Sequence, residues 1–366
     1  MSLRICKHFG VCGGCSYLDK PYEEQLEEKV RAVKELLSVE PEEVHPSPKQ
    51  YYYRNRMDFV AAPGPKIGLN VRGKWWETVD IEECLLQSPE SDAVRNRFRE
   101  HMRERGLEGW DRINRRGLIR FLSVLEGKYT GERLIFVVVY EKNERLGLFD
   151  FLEKVRSTEI KITSIILGIN RGVRDDARAE QLEIVYGSET ITEKIGSLTY
   201  LLHPNAFFQP NSYTLDTMIK TALSFMDLKG GETVLELFSG AGTFTIPFAK
   251  AAGRVVAVES DPDSAKIAAL NLKLNKVKNV ELVQERAERV SLKYDYVILD
   301  PPRSGLSYKL VKKLRKAKPK RILYISCNPQ TQARDIQQLG YKIDRLSIID
   351  QFPQTPLIAT IALLKK

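Results

Sequence analysis

The chain has 366 residues, 43% of them hydrophobic, enough for two or three domains with real cores and too many for wholesale disorder. No stretch approaches the ~20 apolar residues of a membrane span, and Met1-Ser2-Leu3-Arg4-Ile5-Cys6 carries no apolar signal region, so the expected location is cytoplasmic. Lysine and arginine outnumber aspartate and glutamate 57 to 48, and the net charge of +9 attracts polyanions, of which nucleic acid is the commonest in a cytosol.

Residues 1–20 form a cysteine loop. Cys6, Cys12 and Cys15 follow the pattern C-x5-C-x2-C among Gly10, Gly13 and Gly14, which let backbone wrap closely around a metal centre. Cys84 lies alone after Asp80-Ile81-Glu82-Glu83 and is the natural fourth thiolate. With Cys327 the count is five, and an odd number in a cytosolic chain argues against a disulfide framework. Four thiolates suit zinc or a [4Fe–4S] cluster. Zinc sites usually pair their ligands as two CxxC knuckles, and only one short knuckle is present here. Radical enzymes that cleave S-adenosylmethionine use C-x3-C-x2-C, a different spacing. The pattern favours a structural [4Fe–4S] cluster.

Tyr22–Leu37 has Leu26, Val30, Val33 and Leu37 at helical spacing and reads as an amphipathic helix, which Pro41, Pro46 and Pro48 bring to an end. From Tyr51 to about Tyr186, β-rich runs (Leu118–Leu125, Leu134–Tyr140, Lys161–Ile169) alternate with polar turns, as in an α+β domain with an antiparallel sheet. A basic cluster falls within it: Arg95, Arg97, Arg99, Arg103 and Arg105, then Arg112, Arg115, Arg116 and Arg120. Trp110 and Phe121, inside that cluster, offer rings that could stack on unpaired bases. A second cluster, from Lys309 to Arg321, reads as the solvated face of a helix.

After about Leu198 the pattern changes. The strand Thr233-Val234-Leu235-Glu236-Leu237-Phe238 runs into Ser239-Gly240-Ala241-Gly242 and then a helix from about Thr245. A second strand, Arg254 to Glu259, precedes a helix from Pro262 to about Asn275, and alternation of this kind means a doubly wound parallel sheet. The turn lacks the third glycine of a pyrophosphate-binding loop, while Gly240 and Gly242 still allow close backbone approach to a nucleoside without phosphates. Glu259, ending the second strand, can accept both hydroxyls of a ribose. Together these favour S-adenosylmethionine over a nicotinamide. Two later apolar runs close on reactive groups: Tyr296–Leu299 on Asp300-Pro301-Pro302-Arg303, and Arg321–Ile325 on Ser326-Cys327-Asn328-Pro329. Ligands of open α/β sheets bind beyond the carboxyl ends of the strands, so Cys327 is a candidate nucleophile.

With these motifs assembled, the chain resembles the RNA uracil-C5 methyltransferases that carry an N-terminal iron–sulphur cluster. The resemblance spans nearly the whole chain. It rests on Cys6-x5-Cys12-Gly13-Gly14-Cys15, Tyr53-Arg54-Asn55-Arg56, Asp80–Cys84, Phe207-Phe208-Gln209-Pro210-Asn211, Asp300-Pro301-Pro302-Arg303 and Ser326-Cys327-Asn328-Pro329. It implies that Gln209, Phe238, Gly240, Glu259 and Asp300 contact S-adenosylmethionine, that Cys327 is the nucleophile, and that Cys6, Cys12, Cys15 and Cys84 hold a [4Fe–4S] cluster. The implied fold class is α/β: a C-terminal Rossmann-like methyltransferase domain with a central α+β domain carrying the cysteine loop. The expected divisions are residues 1–20 with Cys84 for the cluster, 21–45 for a helix on the catalytic domain, 46–195 for a central RNA-binding domain, and 196–366 for the methyltransferase domain. With Cys6 so near its start, the chain is expected to lack the N-terminal β-barrel of many members, a compact layout similar to bacterial members that modify large-subunit ribosomal RNA. Archaeal transfer-RNA members also resemble the chain around Gly73-Lys74-Trp75-Trp76. The implied substrate is therefore a uridine in structured RNA, 23S ribosomal RNA first and transfer RNA next, with no membrane and no obligate protein partner.

C5 of uracil is too poor a nucleophile to take a methyl group directly. A thiolate adding at C6 makes C5 an enolate carbon, and afterwards a base must remove the C5 proton. Here the sequence departs from the family. Phe352-Pro353-Gln354-Thr355 suits the pattern, but Leu357 stands where it has histidine and Ala359 where it has the general-base glutamate. Engineered removal of the base, another base, or lost turnover with retained RNA binding each account for this. The last is the alternative reading: a protein that binds cofactor and RNA without turning over. Arg286 is a smaller departure, standing where related folds often have an acid near the adenine.

Overall fold

The computed structural model describes residues 3–366. In chain order the elements begin with α1 (Tyr22–Leu37), β1 (Glu43–His45), β2 (Arg56–Ala62), β3 (Lys66–Val71), β4 (Lys74–Asp80) and α2 (Pro89–Glu104). Then come β5 (Ile119–Glu126), β6 (Arg133–Val139), α3 (Leu148–Arg156), β7 (Ser164–Ile169), β8 (Gln181–Tyr186), β9 (Ile191–Ile195) and β10 (Leu198–Leu202). The rest are α4 (Ser212–Met226), β11 (Thr233–Leu237), α5 (Thr245–Ala251), β12 (Arg254–Glu259), α6 (Pro262–Leu274), β13 (Val280–Gln284), β14 (Tyr296–Leu299), α7 (Tyr308–Ala317), β15 (Arg321–Ser326), α8 (Pro329–Leu339), β16 (Lys342–Ile349) and β17 (Ala359–Lys365).

Contacts divide the chain into two compact units. The first takes the cysteine loop up to Pro21, Lys49–Lys194 and Leu201–Asn205; the second takes Tyr22–Pro48, Ile195–Tyr200 and Ala206–Lys366.

The first unit is built on a seven-stranded sheet in the order β4-β3-β2-β5-β6-β7-β8. It is mixed rather than wholly antiparallel: β6 and β7 pair in parallel, Leu134 opposite Ser164. A parallel neighbour needs a crossover connection, and α3, which the sequence reading passed over, supplies it. The basic cluster is largely structural here. Arg95 and Arg99 lie on the buried face of α2, paired with Asp92 and Asp80, and Arg120 is buried against Asn170 and the backbone of Gly172 and Arg174. Arginine fills such positions because its planar fork meets several acceptors at once.

The second unit is the doubly wound one, with its eight strands in the order β1-β16-β17-β15-β14-β11-β12-β13. All neighbours are parallel except β17, which runs antiparallel between β15 and β16. Sequence order reverses between β11 and β14, the switch point beside which such sheets bind ligands. On one side, α4 and α5 cover Val234, Val255, Ile298 and Leu323. On the other, Leu235, Val297, Ile322 and Tyr324 pack with α1, α7 and α8. The basic residues of α7 lie opposite its buried Leu310, Val311 and Leu314.

Helix α1 corrects the simple amphipathic pattern. Leu26 and Val30 are only half buried, whereas Gln25 and Lys29 are buried with Val33 and Leu37. The polar pair is accommodated by specific partners. Lys29 Nζ donates to Asp350 Oδ1 at 2.8 Å and to the Phe352 carbonyl at 3.1 Å, while Gln25 exchanges two hydrogen bonds with Gln354. Burial pulls the Lys29 ammonium downward in pKa and Asp350 opposes it. The segment 350–354 is thereby fixed to α1. Removing one partner of a buried ion pair strands the other charge, so Asp350→Ala is expected to cost about 3–5 kcal/mol, and a double replacement of Lys29 and Asp350 by methionine and leucine much less. Thermal and denaturant melts of the two variants check this order.

Candidate active site

The methyl-donor side of the site is built from strand ends in the second unit. Strand β11 ends in a turn whose backbone leaves the ordinary regions at Phe238 (φ 65°), Gly240 (φ 55°) and Gly242 (φ 83°). Glycine adopts such angles freely, while Phe238 holds one at a strain cost, a feature that clusters at ligand sites. Glu259, at the end of β12, accepts from the Gly240 N–H at 2.9 Å through one oxygen and from the Asp261 N–H at 2.7 Å through the other. The carboxylate is thus fixed in orientation, and each oxygen keeps a lone pair for a ligand hydroxyl.

Asp300, just past β14, accepts from Gln209 Nε2 at 3.0 Å. Gln209 in turn accepts from Gln351 Nε2 at 3.0 Å, and Asn211 Nδ2 donates to the Gln351 carbonyl at 3.2 Å. Gln351 escaped the sequence reading because a glutamine after an apolar strand carries no signal of its own. Glu236 did as well. It lies inside the apolar run of β11, where a carboxyl group is itself the signal, and burial pushes it up to about 8, with Asp300 and Glu259 adding to the rise. Burial likewise pushes Asp300 up to about 7, with the Gln209 hydrogen bond opposing. No lysine or arginine contributes to either shift among the described residues.

Cys327 follows β15 and precedes α8, half-buried. The turn is fixed around it. Asn328 N–H donates to Ser326 Oγ, and Asn328 Nδ2 and Thr331 Oγ1 both donate to the Arg303 carbonyl of the Asp300-Pro301-Pro302-Arg303 segment. The Cys327 thiol is pushed up first by burial and then by the Asp300 charge, with Arg303 pulling the other way. The antiparallel register of β15 and β17 sets Ser326 opposite Thr360, so one further step brings Cys327 level with Ala359. The position that departs from the family, Ala359, is buried and carries no titratable group.

The four remaining cysteines lie in the first unit, all free thiols. The loop folds onto the β3–β4 hairpin through Cys12 bridging Val71 and Gly13 N–H donating to the Asn70 carbonyl. A side chain at Gly14 would meet the Leu69 Cδ1 methyl at 2.9 Å, so the leucine would have to shift to admit one. Backbone N–H groups of His8 and Gly14 point at Cys6 Sγ and Cys12 Sγ, each at 3.4 Å, and Cys15 feels Cys84, Cys12 and Cys6 electrostatically. The expectation of a ready-made ligand set is not met: among the described residues no group of three or more His, Cys, Asp or Glu side chains is arranged to hold a metal ion. Burial raises every one of these thiols, Cys84 to about 11, and neutral thiols have nothing to draw them to a common point.

The stacking rings expected in the basic cluster are also displaced. Trp110 is 9% and Phe121 5% exposed, Trp110 lying stacked on Tyr140 with the Arg120 guanidinium also over its ring, 5.4 Å from the centroid. Aromatic type within a basic stretch is visible in sequence; which rings the sheet buries is not.

Acids at parallel strand ends, with no lysine or arginine among the described residues contributing to the shifts of Glu236 or Asp300, suit a cationic nucleoside. Sheet order and site together define the class, an S-adenosylmethionine-dependent α/β methyltransferase. The tRNA (uracil-5-)-methyltransferase family matches residues 119–295 and 289–366. The tRNA (uracil(54)-C(5))-methyltransferase of Pyrococcus horikoshii is 41% identical over 98% of this chain and 84% of its own length. The 23S rRNA (uracil(747)-C(5))-methyltransferase of Pyrococcus abyssi is 33% identical over 99% and 85%. The crystal structure of Pyrococcus abyssi tRNA (uracil-54, C5)-methyltransferase, in complex with S-adenosyl-L-homocysteine, superposes with a TM-score of 0.84 at 35% identity, covering all of this chain and 86% of that one. The chain belongs to the tRNA (uracil-5-)-methyltransferase family, and with it to the RNA uracil-C5 methyltransferases.

If Asp300 meets the donor, its raised pKa sets the pH dependence of donor binding. Asp300 is largely protonated and neutral below about 7 and charged above it, and only the charged form attracts a cation. Affinity for S-adenosylmethionine is expected to rise with pH through about 7 and then level off. In Asp300→Asn the affinity is lower and that rise is missing, as titration calorimetry at a series of pH values will report.

Proposed function

We propose that the protein transfers a methyl group from S-adenosylmethionine to C5 of an unpaired or flipped uridine in structured RNA, with Cys327 as covalent nucleophile. The observation that carries this reading is the common location of the Cys327 thiol and the Glu259 and Asp300 carboxylates at the ends of parallel strands around one switch point. Transfer RNA is the preferred class and 23S ribosomal RNA the second, the reverse of the order drawn from sequence. The higher identity to the tRNA enzyme, 41% against 33%, supports the change.

In this mechanism Glu259 orients the donor through its ribose and Asp300 meets its positive charge. Burial is the first influence that holds the Cys327 thiol up and the Asp300 charge the second; compensation of Asp300 removes the second, and Arg303 adds to the thiolate's stability. Cys327 Sγ bonds to C6 of the base, and the π-electrons move onto C5 as an enolate. C5 takes the methyl group, the sulphonium carbon–sulphur bond breaks, and S-adenosylhomocysteine leaves as a neutral thioether. Loss of the C5 proton restores the double bond and expels Cys327. With alanine at 359 no carboxylate stands at the family's place for that proton, so it passes to water and the methylated adduct is long-lived.

Cys6, Cys12, Cys15 and Cys84 are the residues that would hold a [4Fe–4S] cluster. The donor set has the right chemistry, and N–H groups aimed at two of the sulphurs favour thiolates. Its role is structural: it would tie the loop to the segment around Cys84. Anaerobically prepared protein is expected to carry about four irons and four sulphides per chain. Absence of both under those conditions contradicts the assignment.

Two variants test the chemistry. Cys327→Ala is expected to abolish methylation of transfer RNA with donor affinity nearly unchanged; retained methylation would remove the covalent mechanism. Ala359→Glu, with Leu357→His beside it, is expected to speed product release by roughly 10²-fold or more, the usual contribution of a positioned base. A fall in the gel-stable protein–RNA adduct, read on denaturing gels, would accompany it. Unchanged adduct and release rate would mean position 359 is not where the proton leaves.

A further inference from the structure

The RNA-facing aromatic surface of the first unit is not the one its basic sequence cluster indicates, and this inference rests on the RNA reading above. Trp75 and Trp76 are 58% and 49% exposed, adjacent on β4, the edge strand of the seven-stranded sheet. Their rings meet edge to face, centroids 5.9 Å apart, a contact that still leaves about half of each side chain exposed. Exposed tryptophans paired this way cost solvation and contribute nothing to a core, which marks a surface that receives something.

The surroundings are polar, positive and held in place. Arg112 donates to the Trp75 carbonyl and to Asn70 Oδ1, and is itself paired with Asp175 at 3.1 Å, which fixes the strand under the rings. The turn that carries Arg112 also carries exposed Arg115 and Arg116, closed by the Asp111–Arg116 bridge and by Asp111 accepting from the Ile113 and Asn114 N–H groups. Lys74 precedes the rings on β4, exposed and paired with Glu77 at 3.0 Å, and Arg72 precedes it in the hairpin turn.

We propose that Trp75 and Trp76 form a stacking platform for unpaired bases of the RNA substrate, with Arg72, Lys74, Arg115 and Arg116 holding the adjoining phosphates. Aromatic faces within a basic rim are the elements by which proteins take single-stranded nucleic acid. A second copy of the chain is the weaker occupant. The β4 edge carries Lys74, Glu77 and Asp80 and a register shift at Asn70/Val71, features that oppose edge-to-edge pairing.

The three tryptophans make the test direct. Because Trp110 is buried and stacked on Tyr140, emission accessible to a ligand comes from Trp75 and Trp76. Unmodified transfer-RNA transcript added to the full-length protein is expected to quench that emission. Trp75→Ala/Trp76→Ala is expected to bind the transcript about tenfold or more weakly, with donor affinity unchanged. Trp75→Phe/Trp76→Phe should keep most of the affinity. Equal RNA affinity in wild type and the alanine double variant overturns the platform alone, while wild type that neither binds nor methylates RNA overturns the functional reading with it. A wild-type dimer that the double variant converts to monomer at unchanged RNA affinity would assign the rings to a second copy instead.

Discussion

Carboxyl groups buried at the strand ends of the second unit, where ionisation is costly, are the constraint on which the candidate site depends. Glu236, Glu259 and Asp300 approach one another there, two of them lifted far above the ordinary carboxylate range because burial penalises their ionised forms. Ionising such a group in the low-dielectric sheet end is costly until a cation arrives. A donor bearing a sulphonium and an ammonium group relieves that cost; a neutral nucleoside does not. The same acid reaches the thiol, since Asp300 is the second largest cause of the raised Cys327 pKa. In the proposed mechanism, donor recognition and nucleophile activation are one electrostatic problem. Glu259, pinned by two backbone N–H groups, supplies orientation beside it.

Around this charge the chain invests in rigidity. The segment between β16 and β17 is anchored to α1 by the Lys29–Asp350 pair and the reciprocal Gln25–Gln354 bonds. Gln354 is held at a φ of 68° and buried, a conformation an unsupported loop would leave. The anchored segment delivers the chain into β17, whose register brings position 359 level with Cys327. In the proposed mechanism, alanine at that position leaves the surrounding scaffold in place without the family's proton acceptor.

Much of this was legible in the sequence. The strand-ending motifs at Phe238, Glu259, Asp300 and Cys327 could be read because each closes an apolar run, and parallel strands with both faces covered write their boundaries that way. The missing carboxylate at Ala359 could be read as a departure from a pattern. Other features depend on burial that a linear sequence does not display. Lys29 sits among apolar helix positions, and its partner lies more than three hundred residues away. Arg95, Arg99 and Arg120 look like an RNA-binding stripe until α2 and the sheet bury them. Trp110 and Phe121 share that stretch and that fate, while Trp75 and Trp76, on an edge strand with few arginines beside them in sequence, keep their faces open. The parallel β6–β7 pair was hidden because its crossover, α3, is only nine residues long.

The most direct measurement is the apparent pKa of the Cys327 thiol, followed by thiolate absorbance as the difference between wild type and Cys327→Ala. It would be taken with S-adenosylmethionine bound and again with S-adenosylhomocysteine, which has the same nucleoside and amino acid but no sulphonium charge. If buried carboxylate charge links donor recognition to the nucleophile, the sulphonium compound lowers the Cys327 pKa and the neutral thioether lowers it much less. Equal shifts from the two, or no shift from either, would contradict that link.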